Sequence, residues 1–182
     1  MELPRAFKEN SCFSMKPVFL TALVYAEAIS SFIVVCTDAV IIDRERRTIF
    51  LAQRIVEPAK RLWWIFGGRW RAGEEPRKSM TRCFLSETTL EVDKSRFDFL
   101  TVIEEMWCRR EQAPQDTGTH ALAYVFTVEL TLLERCAVSD GLNSEEYDKR
   151  LGLLEFSKEG LPRNPTLRYL YDLIFPSKAI AR

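Results

Sequence analysis

The residues best suited to chemistry fall in one stretch, Gly67-Gly68-Arg69-Trp70-Arg71-Ala72-Gly73-Glu74, followed by Arg82, Glu87 and Leu90. A glycine pair lets backbone approach a ligand closely. The short loop after it feeds a segment of helical periodicity, with Pro76 suited to the first turn. Glu74 precedes Arg82 by eight residues. A carboxylate at the helix entrance can thus pair with a guanidinium two turns on and pin the loop. Glu87, on the same helix, can face the glycines as a carboxylate ligand for a hard cation such as Mg²⁺. Outside the stretch, Glu145 and Glu146 sit in an acidic run from which one could act as general base. Glu104-Glu105 could add a metal ligand from a central strand. His120, the single histidine, reads as a packed or surface residue at a strand start. Trp63 and Trp64 read as packing residues, and Trp70 could stack on a base.

These residues need elements to hold them. Leu20, Leu23, Val24 and Ala28 lie at helical spacing, which predicts a helix over 18–31 packed by that face. Phe32–Asp43 and Thr48–Arg54 are apolar and β-branched around the charged turn Arg44–Arg47, a hairpin pattern. Leu62–Phe66 reads as a short strand ended by Gly67-Gly68, and 76–89 as a helix through Met80, Cys83, Phe84 and Leu90. Phe97–Cys108 and His120–Leu130 are strand candidates joined by the polar loop Arg109–Gly118. Residues 131–150 read as an acidic loop, and Leu151–Phe156 as a short strand. Asn164 caps a closing helix with Leu167, Leu170, Tyr171 and Ile174 on one face.

Composition bounds the reading. The chain has 182 residues, 47% hydrophobic and 29% charged, enough for one domain with a core. Lys+Arg and Asp+Glu both number 26, so the basic excess of a nucleic-acid module is missing. Five cysteines, none at CxxC spacing, argue for a reducing, cytoplasmic setting rather than a disulfide or zinc framework. The apolar run Val18–Ile42 is broken by Glu27 and Asp38, too soon for a membrane span. Lys16, Val18–Tyr25 and Ala26-Glu27-Ala28 imitate the order of a signal peptide, but an amphipathic helix explains them as well.

The central stretch resembles the Nudix box, G-x5-E-x7-R-E-U-x-E-E-x-G-U, where U is apolar. Gly68, Glu74, Arg82, Phe84, Glu87 and Leu90 match it. Cys83 and Ser86 stand where two of its carboxylates would be, and Thr89 where its late glycine would be. The same two carboxylates are lost in the GDP-mannose mannosyl hydrolase branch. To that branch the chain is similar over roughly 20–175: in Tyr25-Ala26 through Asp38, in Leu51-Ala52-Gln53-Arg54, in Pro58-Ala59, in Trp64 and Gly67-Gly68-Arg69, in Thr119-His120, and in the closing segment.

The resemblance implies an α/β (α+β) Nudix fold, a mixed β-sheet sandwiched between α-helices, as a single domain over 17–178 after a flexible tail at 1–16. It implies hydrolysis of a nucleoside diphosphate sugar, GDP-mannose first, at the anomeric carbon to nucleoside diphosphate plus free sugar. The alternatives are a Nudix pyrophosphatase of other specificity and a degenerate nucleotide-binding domain. It further implies one Mg²⁺ (or Mn²⁺) held by Gly67, Glu87 and, in place of the branch's Gln, Asn143. Arg54 and Arg69 match the arginines that neutralise the leaving diphosphate, and Asp38 matches an acidic substrate-site residue. The branch's catalytic His falls in Leu142–Tyr147, where Ser144 cannot replace it, which leaves Glu145 or Glu146 as base. Other site positions read Arg109 and Ala121, and the proline before the glycines is Phe66. A homodimer through the 18–31 helix is implied, with no nucleic-acid or membrane partner.

Overall fold

A computed structural model describes residues 2–7, 14–15 and 18–176. Its elements are α1 (Ala22–Ser31), β1 (Val34–Asp43), β2 (Thr48–Gln53), β3 (Trp63–Trp64), β4 (Phe66–Arg69), α2 (Pro76–Thr88), β5 (Asp98–Trp107), β6 (Thr119–Glu129), α3 (Leu132–Gly141), β7 (Leu153–Phe156) and α4 (Pro165–Ile174). Among the described residues the strands form one mixed sheet in the order β3-β2-β1-β6-β5, with β4 also on β1 and β7 also on β2. β1 runs parallel to β6; the other pairings are antiparallel.

Helices cover both faces, and the strands show why. Along β1, Ala39 and Ile41 join one core cluster with Met80 and Phe84 of α2 and Val138 of α3. Val40 and Ile42 join the other, with Leu167, Leu170 and Ile174 of α4. A strand buried on both sides must be a continuous apolar run, as Ala39–Ile42 is. The expected sandwich of a mixed sheet between helices is therefore present, and the hairpin, α2, β5, β6 and α4 lie where periodicity placed them.

Three readings are corrected, and the stretch 1–16 is described only in part. The first helix begins at Ala22, capped by Thr21, and docks through Ala26 and Ile29; Leu23, on the expected packing face, is 79% exposed. Apolar spacing marks a face but cannot tell a small docking face from a bulky exposed one. Gly67 and Gly68 do not end a strand but lie inside β4. Residues 132–141 form α3 rather than loop, announced by a Thr131–Glu134 capping box that the acidic composition obscured. Of the stretch 1–16, read as a tail, Leu3 packs against the first cluster; residues 1, 8–13 and 16 lie outside the described residues. No helix among the described residues is long and apolar enough to cross a membrane.

Candidate active site

A cleft of about 650 Å³ opens where β1, β4, β5, α2 and the loop after α3 converge, and it is lined by Asp38, Arg54, Gly67, Arg69, Glu87, Glu105, Asn143 and Glu146. Strand register builds its floor. Asp38 of β1 lies opposite Gly67 of β4. A Cβ on Gly67 would stand 2.0 Å from Asp38 Oδ1, so glycine here is room for the aspartate. The Gly67 N–H turns to α2 and donates to Glu87 Oε2 at 2.7 Å. On the same sheet face, alternation puts Cys36 and Asp38 of β1 with Glu105 of β5; on β6, Cys36 lies beside Ala123, Asp38 beside Val125 and Glu105 beside Ala121.

Glu87 is buried. Besides Gly67 its Oε2 accepts the Tyr147 O–H at 2.8 Å. Oε1 has Arg54 Nη1 at 3.8 Å. Burial pushes its carboxyl up to about 8, opposed by Arg54, Tyr147 and Gly67. Arg54, itself largely buried, holds Glu146 through Nη2 at 2.7 Å. It also lies over the Tyr147 ring, 5.5 Å from its centroid. Its Nε is buried without a hydrogen-bond partner among the described residues. Burial and neighbouring Glu87 raise the Tyr147 phenol well above its ordinary value, so it is a proton donor to Glu87. No spacing rule pointed to Tyr147. It is delivered by the backbone, where Ile55 N–H donates to the Glu146 carbonyl and Asp148 N–H to that of Gln53.

Desolvation, with Glu105 and Glu87 nearby, drives the Asp38 carboxyl well above its usual range. Glu105 is raised too, by burial. Its Oε2 accepts from Trp107 Nε1 at 3.2 Å, and its Oε1 is buried without a partner among the described residues. Arg69 stacks on Tyr25, 3.9 Å from the ring centroid, at the cleft wall. Asn143 lines the cleft, donating its N–H to the Glu87 carbonyl, while its Oδ1 accepts from Glu145 N–H. The expected Glu74–Arg82 pair is present at 2.7 Å, and Arg82 also reaches the Arg69 carbonyl at 2.9 Å, so the loop is pinned twice. Cys83 and Ser86 line the cleft from α2.

The structure does not gather every candidate. Glu145 is exposed and outside the lining residues, whereas Glu146 is inside and engaged by Arg54. Glu104 is exposed and pairs with His120 at 2.8 Å, away from the cleft, so of the Glu104-Glu105 pair only Glu105 enters it. Trp70, by contrast, does line the cleft, where it donates Nε1–H to the Glu74 carbonyl and packs on Tyr124.

Among the described residues no three His, Cys, Asp or Glu converge as a ready metal cage. Magnesium seldom needs one, since one or two carboxylates plus substrate phosphates suffice. Glu87 Oε1, with no closer partner than Arg54 at 3.8 Å, fits such a shared cation.

No family model matches the chain, and no curated protein matches it in sequence. Solved structures do match. A MutT Nudix hydrolase from Burkholderia pseudomallei shares 18% identity at a TM-score of 0.58, covering 79% of this chain and 98% of that one. The MutT protein from Methanosarcina mazei Go1 shares 15% at 0.55, covering 78% and 91%. The Escherichia coli dihydroneopterin triphosphate pyrophosphohydrolase shares 15% at 0.52, covering 76% and 92%. The fold is therefore that of the Nudix hydrolases.

Proposed function

We propose that this chain is a Nudix hydrolase of nucleoside diphosphate sugars, GDP-mannose being the first to test, and that water attacks the anomeric carbon. The observation that carries the reading is the cleft face of α2, which presents Glu87 but Cys83 and Ser86 where further carboxylates would stand. Attack at phosphorus is usually met by several clustered cations. Attack at the anomeric carbon sends charge onto an intact diphosphate, which needs less.

In this reading Arg54 and Arg69 bind and neutralise the diphosphate, a task suited to forked cations. Glu87, the Gly67 carbonyl and Asn143 would hold one Mg²⁺ or Mn²⁺, which when bound supplies further neutralisation at the diphosphate. Asp38 contacts the substrate near Gly67. Glu146 keeps Arg54 extended into the cleft until phosphate oxygens compete for it. The reacting carbon becomes oxocarbenium-like, and water delivered to its far face gives inversion. A homodimer through α1, whose Leu23 and Val24 are exposed, and a cytoplasmic site of action belong to the same proposal.

A panel of nucleotide sugars incubated with Mg²⁺ and resolved by chromatography tests it. Nucleoside diphosphate plus free sugar is the expected pair. Nucleoside monophosphate plus sugar 1-phosphate would make the protein a pyrophosphatase, and no product from any member would make it a binding domain.

A further inference from the structure

The proposed reaction needs a base, and six carboxylates line the cleft with unequal freedom: Asp38, Glu57, Glu87, Glu105, Glu111 and Glu146. Glu145 does not line it. Glu146 is tied to Arg54 at 2.7 Å. Glu87 Oε2 already accepts two hydrogen bonds. Asp38 Oδ1 fills the space a Gly67 side chain would take. Glu57 pairs with Arg109 at 3.3 Å, and Glu111 Oε2 accepts from Gln112 Nε2 at 3.0 Å. Glu105 differs from all of these. Trp107 Nε1–H fixes its Oε2 at 3.2 Å, while Oε1 is buried and accepts nothing from the described residues. A buried oxygen without a donor is costly unless function uses it. Glu105 shares the cleft lining with Asp38, and its β6 neighbour is the small Ala121.

Resting on the function proposed above, we propose that Glu105 is the general base, its Oε1 taking the proton of the attacking water. As that proton moves to Oε1, the water oxygen bonds to the anomeric carbon. The bond from that carbon to the diphosphate oxygen breaks, and its electron pair stays on the leaving oxygen. The products are free sugar and the nucleoside diphosphate anion, and solvent then takes the proton from Glu105. Trp107 is the positioning residue, since its indole N–H sets the carboxyl rotamer and leaves Oε1 free. Burial raises the Glu105 carboxyl above its usual range, which makes its carboxylate the stronger base.

The experiment compares the full-length wild type with Glu105→Gln and Glu105→Ala. Removing a general base costs about 10²–10⁴ in rate. The glutamine variant should lose turnover by that factor yet bind GDP in calorimetry as the wild type does. Formate should restore part of the turnover of Glu105→Ala and none of that of Glu105→Gln, which fills the space. The proposal is overturned if Glu105→Gln keeps wild-type turnover, or if its GDP affinity falls in step with its rate. The parent reading fails separately: if the wild type releases sugar 1-phosphate while Glu105→Gln is dead with GDP binding intact, the bond was misassigned and the base stands. A wild type inert toward every nucleotide sugar overturns both.

Discussion

Arg54 serves Glu87 and Glu146 together, and the balance depends on protonation. The Glu87 carboxyl, raised to about 8, is mostly neutral at pH 5 and charged at pH 9. A neutral carboxyl has little need of a cation, whereas a buried charged one does. Arg54→Met should therefore destabilise more at pH 9 than at pH 5, approaching about 3 kcal/mol at the higher pH in urea melts without metal. An equal penalty at both would refute the assignment. Tyr147→Phe removes one of two donors to Glu87 Oε2 and should cost about 1–2 kcal/mol by the same measurement. Part of this site was legible in the chain. Gly67 and Glu87 were singled out by type and spacing, and Arg54, Arg69 and Asp38 through the family resemblance; the five share one cleft. Tyr147 was not, because a phenol becomes a site residue only when a loop folds back on a strand, and no local pattern encodes that return.

Elements deliver these residues, and their ends are where the design can be probed. α3 carries the Asn143 loop, and its start depends on the Thr131–Glu134 capping box. Thr131→Ala should cost about 1 kcal/mol. Glu134 also pairs with Arg96, and that pairing, with the cap bonds, holds its carboxyl down at about 2. A carboxyl lowered in the folded state adds stability above its ordinary value near 4.5, and loses it as pH falls toward 2. Glu134→Gln should thus lower the melting temperature at pH 7 and converge on the wild type near pH 2. A constant offset would refute the pairing. At the end of α2, Thr89 adopts φ 56°, the left-handed region, where the Nudix box has glycine. Its side chain also meets Gly141 of α3. The expected helices and strands appeared wherever one face was repeatedly apolar, as in α4. In α1 the expected helix is present, but its docking face is Ala26 and Ile29 rather than the bulkier run beside it.

At the scale of the whole molecule, a sheet covered on both faces carries its cleft where β1, β4 and β5 meet α2 and the loop after α3, with Gly67 leaving room for Asp38. The exposed Leu23 and Val24 of α1 are the surface proposed for a second copy. Solution scattering at micromolar concentration should give twice the chain mass, and a monomer would reject that assignment. The central claim is the bond that breaks, and isotope-labelled water reads it directly. Hydrolysis of GDP-mannose in ¹⁸O-water, with products weighed by mass spectrometry, should put the label on the free sugar and leave the nucleoside diphosphate unlabelled. Label in a phosphate group would contradict the account, because water would then have attacked phosphorus.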